Sequence, residues 1–116
     1  MKSNTCGYAI RKVSYVYLFG SVAYGWCKIG MSTQPLRRYR NLETGLPFPI
    51  SIWDIRKVSS PRQARILEAH LHHAFRACRL HGEWFDHKFF DMAKYFRLVK
   101  KYESAFEGPN PLKESE

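Results

Sequence analysis

An α+β domain is what this sequence predicts: a small three-stranded antiparallel sheet flanked by about three helices, in the order β-β-α-β-α-α. Three observations carry that expectation. Two strand-favouring runs, at 13–19 and 26–29, are joined by a connection bracketed by Gly20 and Gly25. A third run, at 50–58, lies between two segments with helix-start signals. The second of those signals, Ser60-Pro61-Arg62-Gln63, is a capping box with proline at the first helical position. With 116 residues the chain fits one domain, long enough to bury roughly two-thirds of its unfolded surface.

Residues 1–12 are polar and basic and read as an N-terminal arm. Val13 to Phe19 is rich in Val, Tyr and Leu, without a breaker, and reads as the first strand. Nearly every position is apolar or aromatic, which suits a central strand covered on both faces. Trp26 to Ile29 is the second strand, and Gly30 is expected to end it. Ser32 or Thr33 can cap the next helix, with Pro35 in its first turn. That helix runs to about Leu42, and Gly45 is its expected left-handed stop.

Leu46-Pro47-Phe48-Pro49 is held extended by its prolines. In the third strand Ile50, Ile52 and Asp54 are placed on one face, Trp53 and Ile55 on the other. The helix after Ser60 carries Ala64, Leu67, Leu71, Ala74, Phe75 and Cys78 as a stripe at helical spacing. Residues 79–86 are expected to be a turn leading into a third helix, with Phe89, Met92, Ala93, Phe96 and Val99 as its apolar face. From about Tyr102 the chain turns polar, so 13–101 is the domain and 102–116 a tail.

Nineteen Lys and Arg against ten Asp and Glu give a net charge of +9. Such a surface attracts polyanions, and nucleic acid is the first candidate. No apolar run approaches the ~20 residues that span a bilayer, and no signal peptide is visible, so the expected compartment is cytoplasmic and no membrane partner is expected. Cys6, Cys27 and Cys78 form neither a disulfide framework nor a zinc signature, and are read as reduced thiols. A homo-oligomer is possible but not readable.

The candidate chemistry is concentrated in few residues. Phosphodiester hydrolysis needs a positioned water and neutralised phosphate oxygens. Arg38 offers a fork that matches a phosphate. Glu68 lies about 40° from Ala64 and about 60° from Leu71 on a helical wheel, at the border of the apolar stripe. Mg²⁺ commonly uses one or two protein carboxylates and keeps its waters, so one glutamate suffices to seat an ion. Tyr17 has an ordinary pKa near 10, leaving about one in a thousand ionised at pH 7. Lys28 on the neighbouring strand either lowers that pKa or touches phosphate; both readings stay open. Arg37, Arg40 and Arg65 are candidates for DNA contact, with Arg56, Lys57, Arg62, Arg76 and Arg79 a wider basic set.

Read in order, the motifs resemble the GIY-YIG nuclease superfamily. They are Tyr15-Val16-Tyr17, Lys28-Ile29-Gly30 eleven residues on, Arg38, Thr44-Gly45-Leu46-Pro47, Glu68 in a Leu-Glu-x-x-Leu-His frame, and Gly82-Glu83-Trp84-Phe85. The likeness covers about residues 13–98 and is greatest to the phage-type branch whose second signature reads Lys-Ile-Gly. It implies a GIY-YIG-like nuclease domain at 13–101. It implies that Tyr17 acts as general base or orients the attacking water, that Arg38 holds the scissile phosphate, and that Glu68 binds one Mg²⁺ or Mn²⁺. Gly30 matches the glycine of the second signature, His72 the histidine beside the metal-binding glutamate, and Glu83 is a supporting candidate. Tyr15 stands where the first signature has glycine, and Lys28 where the second has tyrosine. The expected function is a metal-dependent DNA endonuclease; the alternative is a non-cleaving DNA-binding module on the same scaffold.

Overall fold

Strand-favouring residues fill Ser14–Ser21, which forms β1, and the computed structural model describes the chain from residue 13 to residue 101. The other elements are β2 (Trp26–Ser32), α1 (Pro35–Gly45), β3 (Ser51–Val58), α2 (Pro61–Ala74), β4 (Arg79–His81), β5 (Trp84–Asp86) and α3 (Met92–Lys101). The expected basic arm at 1–12, the tail at 102–116 and Cys6 lie outside the described residues. Among the described residues the strands form one antiparallel sheet in the order β3-β1-β2-β5-β4. No described helix is long and apolar enough to cross a membrane.

The all-apolar character of β1 has the expected meaning, because both of its faces are covered. Val16 and Leu18 join Cys27 and Ile29 of β2 under α2 and α3, which contribute Ala64, Leu67, Leu71, Tyr95 and Val99. Tyr17 and Phe19 point to the other face, stack at 4.1 Å, and pack against Tyr39 and Leu42 of α1. The sheet is therefore a middle layer between two helical layers.

The sheet has five strands where three were expected. Residues 79–86 are not a turn into a helix but a hairpin of two three-residue strands, too short for alternation to register. Its two-residue connection starts at Gly82, whose φ of 57° is a conformation that glycine adopts without strain. Gly30 does not end β2; the strand continues to Ser32. Gly45 takes no positive φ, and α1 ends because Leu46, preceding Pro47, is extended. Neither Ser32 nor Thr33 is the N-cap of α1: Gln34 holds that position, and the Ser32 hydroxyl instead accepts from the Gln34 N–H at 2.9 Å. Ser60 caps α2 as expected, its oxygen accepting from the Gln63 N–H at 3.1 Å.

Two further expectations shift. A bulge beside Leu18/Phe19 pairs Leu18 with Asp54 and Phe19 with Ile52, skipping Trp53. Asp54 therefore faces α3 while Ile52 and Ile55 face α1. The Tyr95 hydroxyl donates to Asp54 at 2.8 Å, and Arg56 donates to the same oxygen at 2.8 Å. This buried carboxylate thus has two donors. On α3, Tyr95 and Val99 are buried with Met92 against them, while Phe96 is 41% exposed and Ala93 is also exposed. Phe89 precedes the helix in a separate 3-10 turn and stands out in solvent.

Candidate functional site

The site is built at the open edge of β2. Tyr17 on β1 pairs with Gly30 on β2, and its ring lies across the glycine. A Cβ at position 30 would collide with the Tyr17 hydroxyl and come within 2.8 Å of Glu83 Oε1. The missing side chain is what lets the phenol and the carboxylate approach each other.

Lys28 is on the same face two residues earlier and is 6% exposed. Its ammonium donates to Glu83 Oε1 at 2.8 Å and lies 5.4 Å above the Trp84 ring. Glu83 follows the turn glycine of the β4–β5 hairpin. Its own carbonyl accepts from the Ile29 N–H at 3.1 Å, fixing the hairpin tip to β2. The ladder between β2 and β5 pairs only Trp26, Cys27 and Lys28, so β2 is open beyond that point.

Glu68 comes from the opposite layer. His72, one turn along α2, donates from Nε2 to the Ile29 carbonyl at 3.0 Å and sits 3.9 Å from Glu68 Oε2. That bond holds the α2 surface against the β2 edge. Glu68 reaches round the open edge to the neighbourhood of Glu83 and Lys28, both of which act on its titration. The layer arrangement alone would separate Glu68 from Tyr17; the short β5 removes the barrier. Arg38 is exposed on α1, near enough to the Tyr17 hydroxyl to act on its titration. Tyr39 anchors α1 by donating to the Ile50 carbonyl at 2.6 Å.

The electrostatics follow from this crowding. Burial, then the neighbouring Glu83, pushes the Glu68 carboxyl up to about 7, against an opposing pull from Lys28. Glu68 Oε2 is buried without a hydrogen-bond partner. Tyr17 is also raised above its ordinary value, chiefly by burial and further by Glu83, while Arg38 opposes the rise. The expected lowering of the Tyr17 pKa by Lys28 is not found. Lys28 is paired with Glu83, so its positive charge is met by a negative one beside the phenol.

Tyr17, Lys28, Gly30, Arg38, Glu68, His72 and Glu83 are thus brought into one neighbourhood from β1, β2, α1, α2 and the β4–β5 turn. Arg37, Arg40 and Arg65 are exposed; Arg37 and Arg40 line a separate shallow pocket with Tyr15 and Gln34. Of the wider basic set, three arginines make structural bonds. Arg56 binds Asp54, Arg76 donates to the His73 carbonyl at 2.7 Å, and Arg79 donates to the Gly82 carbonyl at 2.8 Å.

The donor set fits a hard divalent cation. Two carboxylates meet at the edge, and one of their oxygens is buried with no proton donor. Among the described residues no group of three or more His, Cys, Asp or Glu that could hold a metal ion is found. Glu83 carries more than sequence reasoning assigned it, since it is the second carboxylate of the pair. The glycine preceding it was the available signal. Trp84, which stacks under Lys28, had none beyond that motif.

A family model described as the T5orf172 domain matches residues 14–101, from the start of β1 to the end of α3. No curated protein matches the chain, and no solved structure does.

Proposed function

The chain belongs to the T5orf172 domain family, and from that premise we propose that it is a divalent-metal-dependent DNA endonuclease of the GIY-YIG type. The observation that carries the proposal is the buried, unpartnered Glu68 oxygen in a neighbourhood it shares with Glu83 and Tyr17, where Arg38 also acts on Tyr17. Burial and the neighbouring Glu83 both disfavour a charged Glu68, and a bound cation would relieve that crowding.

Glu68, with Glu83 beside it, would hold Mg²⁺ or Mn²⁺. The ion supplies charge neutralisation of the phosphate and a more acidic bound water. Arg38, exposed and unencumbered by a carboxylate in the described contacts, holds the phosphate by its fork of N–H groups. Tyr17 works as a neutral phenol: its raised pKa keeps the proton on, so it orients the attacking water rather than abstracting a proton as a free phenolate. Lys28 fixes Glu83 in the resting protein and turns to the phosphate once Glu83 is engaged elsewhere. Arg37, Arg40 and Arg65 extend the positive field along the DNA, whose partner role follows from the charge of +9. If six to ten basic residues touch phosphates, affinity falls about 10³–10⁵-fold between about 50 and 200 mM salt.

One observation favours the second reading, a DNA-binding module without cleavage. The Lys28–Glu83 ion pair already neutralises one of the two carboxylates. Plasmid nicking in Mg²⁺ or Mn²⁺ separates the two readings, comparing the native chain with Glu68→Ala and Arg38→Ala. The nuclease reading expects nicking by the native chain alone, with salt-sensitive binding retained by Glu68→Ala. Nicking that survives Glu68→Ala undiminished removes it, and binding without nicking under either metal selects the second reading.

A further inference from the structure

Beside the site, on the sheet face that carries Tyr17 and Lys28, lies a cleft of about 260 Å³. It is lined by Trp26, Leu46, Phe48, Leu80, His81 and Trp84, so three of its six lining residues carry carbocyclic or indole rings, two from β2 and β5 and one from the α1–β3 connection. Trp26 is 40% exposed and Leu80 51% exposed, an unusual degree of exposure for large apolar side chains meeting at one place. Phe48 is held edge-on to Trp26 at 5.0 Å, and Tyr24 leans on Phe48 at 4.7 Å, so the aromatic walls are braced rather than loose.

We propose that this cleft receives an unpaired nucleobase of the strand whose phosphate lies at the Arg38–Glu68 site. The proposal rests on the nucleic-acid reading above and adds to it that the substrate is unpaired at one nucleotide beside the reacting phosphate. Three features select a base over other occupants. The cleft offers exposed aromatic surface, which suits a planar heterocycle stacked on one of its rings. Trp84 is shared: its ring forms a cleft wall, and Lys28, which reaches Glu83, lies above it at 5.4 Å. One nucleotide thus has its base and its phosphate served by adjoining side chains. The net charge of +9 brings a polyanion to this surface and is adverse to a second copy of the same chain.

The test uses the full chain with metal chelated, and fluorescence anisotropy of a labelled single-stranded oligonucleotide. A series of otherwise identical strands carries one abasic position at each place in turn. At one position the loss of the base is expected to weaken binding by about 5- to 150-fold, the range for one stacked base. Trp26→Ala, a change at an exposed strand end, is expected to weaken the intact strand similarly and to make the abasic series uniform. Tryptophan emission should be quenched by the intact strand and much less by the abasic one at that position. A native chain indifferent to every abasic position overturns the proposal. So does a Trp26→Ala chain that keeps the base dependence, or a fully paired duplex that binds as tightly as the single strand. Sedimentation showing a dimer that Trp26→Ala dissociates also overturns it, with a second copy as the occupant. The nuclease reading fails separately: base-dependent binding by a chain that never nicks leaves this inference standing, while nicking with base-independent binding does the reverse.

Discussion

Replacing Glu68 with glutamine is expected to stabilise the fold above neutral pH while ending cleavage. The sign follows from the direction of the shift. Glu68 rises from 4.5 to about 7 on folding, so between those values the native state holds its proton more tightly than the unfolded chain. Its contribution is fully present below about pH 4.5 and is lost as pH climbs through about 7. At about 1.4 kcal/mol for each pH unit, the rise sets a ceiling of about 3 kcal/mol for the loss at alkaline pH. The side chains of Glu68 and Glu83 are 18% and 39% exposed, so water screens part of their repulsion and about 1 kcal/mol is the expected size. For a domain of this size that is about 4–8 °C in Tm. The assay is thermal unfolding by circular dichroism of both chains in chelator, at about pH 5 and about pH 8. Glu68→Gln should match the native chain at the lower pH and exceed it at the higher. Adding Mn²⁺ at about a hundredfold over its Kd should raise the native chain by about 2.7 kcal/mol and leave Glu68→Gln unmoved. Equal stability of the two chains at both pH values, or an equal response to Mn²⁺, would refute the reasoning.

Gly30→Ala should cost about 1–3 kcal/mol, read as a lower urea midpoint, because its methyl group meets the Tyr17 hydroxyl and Glu83. Tyr95→Phe should cost about 1–2 kcal/mol in the same assay, since Asp54 is buried and loses one of its two donors. Arg38→Lys should leave the urea midpoint unchanged, the side chain being exposed, yet slow plasmid nicking by about 10²–10³-fold as the fork of donors becomes a single ammonium.

What was legible in the sequence shares one physical property: it was local. The β1 run, the Ser60-Pro61 start of α2 and the Ala64–Leu67–Leu71 stripe are each settled by residues a turn or two apart. The α+β class and the element order through α2 follow from those signals. The convergence of Tyr17, Arg38 and Glu68 was inferred from motif order, and in the fold Arg38 and Glu68 each lie near enough to act on Tyr17. What escaped was non-local. The β4–β5 hairpin is held by pairing with β2, and its strands are too short to advertise themselves. The slip at Trp53 that turns Asp54 toward Tyr95 depends on a bulge opposite β1. Lys28 was read as a neighbour of the phenol, but its charge is directed by a glutamate 55 residues away.

Glu83 rides on a hairpin of two three-residue strands, and this gives the site two walls of unequal stiffness. Tyr17 belongs to β1, an inner strand of the sheet, and is fully buried. The hairpin tip is held to β2 by one backbone bond, from the Ile29 N–H to the Glu83 carbonyl, and short hairpins of this kind open more readily than the middle of a sheet. Under the cation-site proposal, an ion would draw Glu83 away from Lys28 while Tyr17, Gly30 and α2 stay as they are. Any such adjustment is confined to the two-residue tip, Gly82 and Glu83, because Phe85 of the same hairpin is fully buried and its strand is paired to β2.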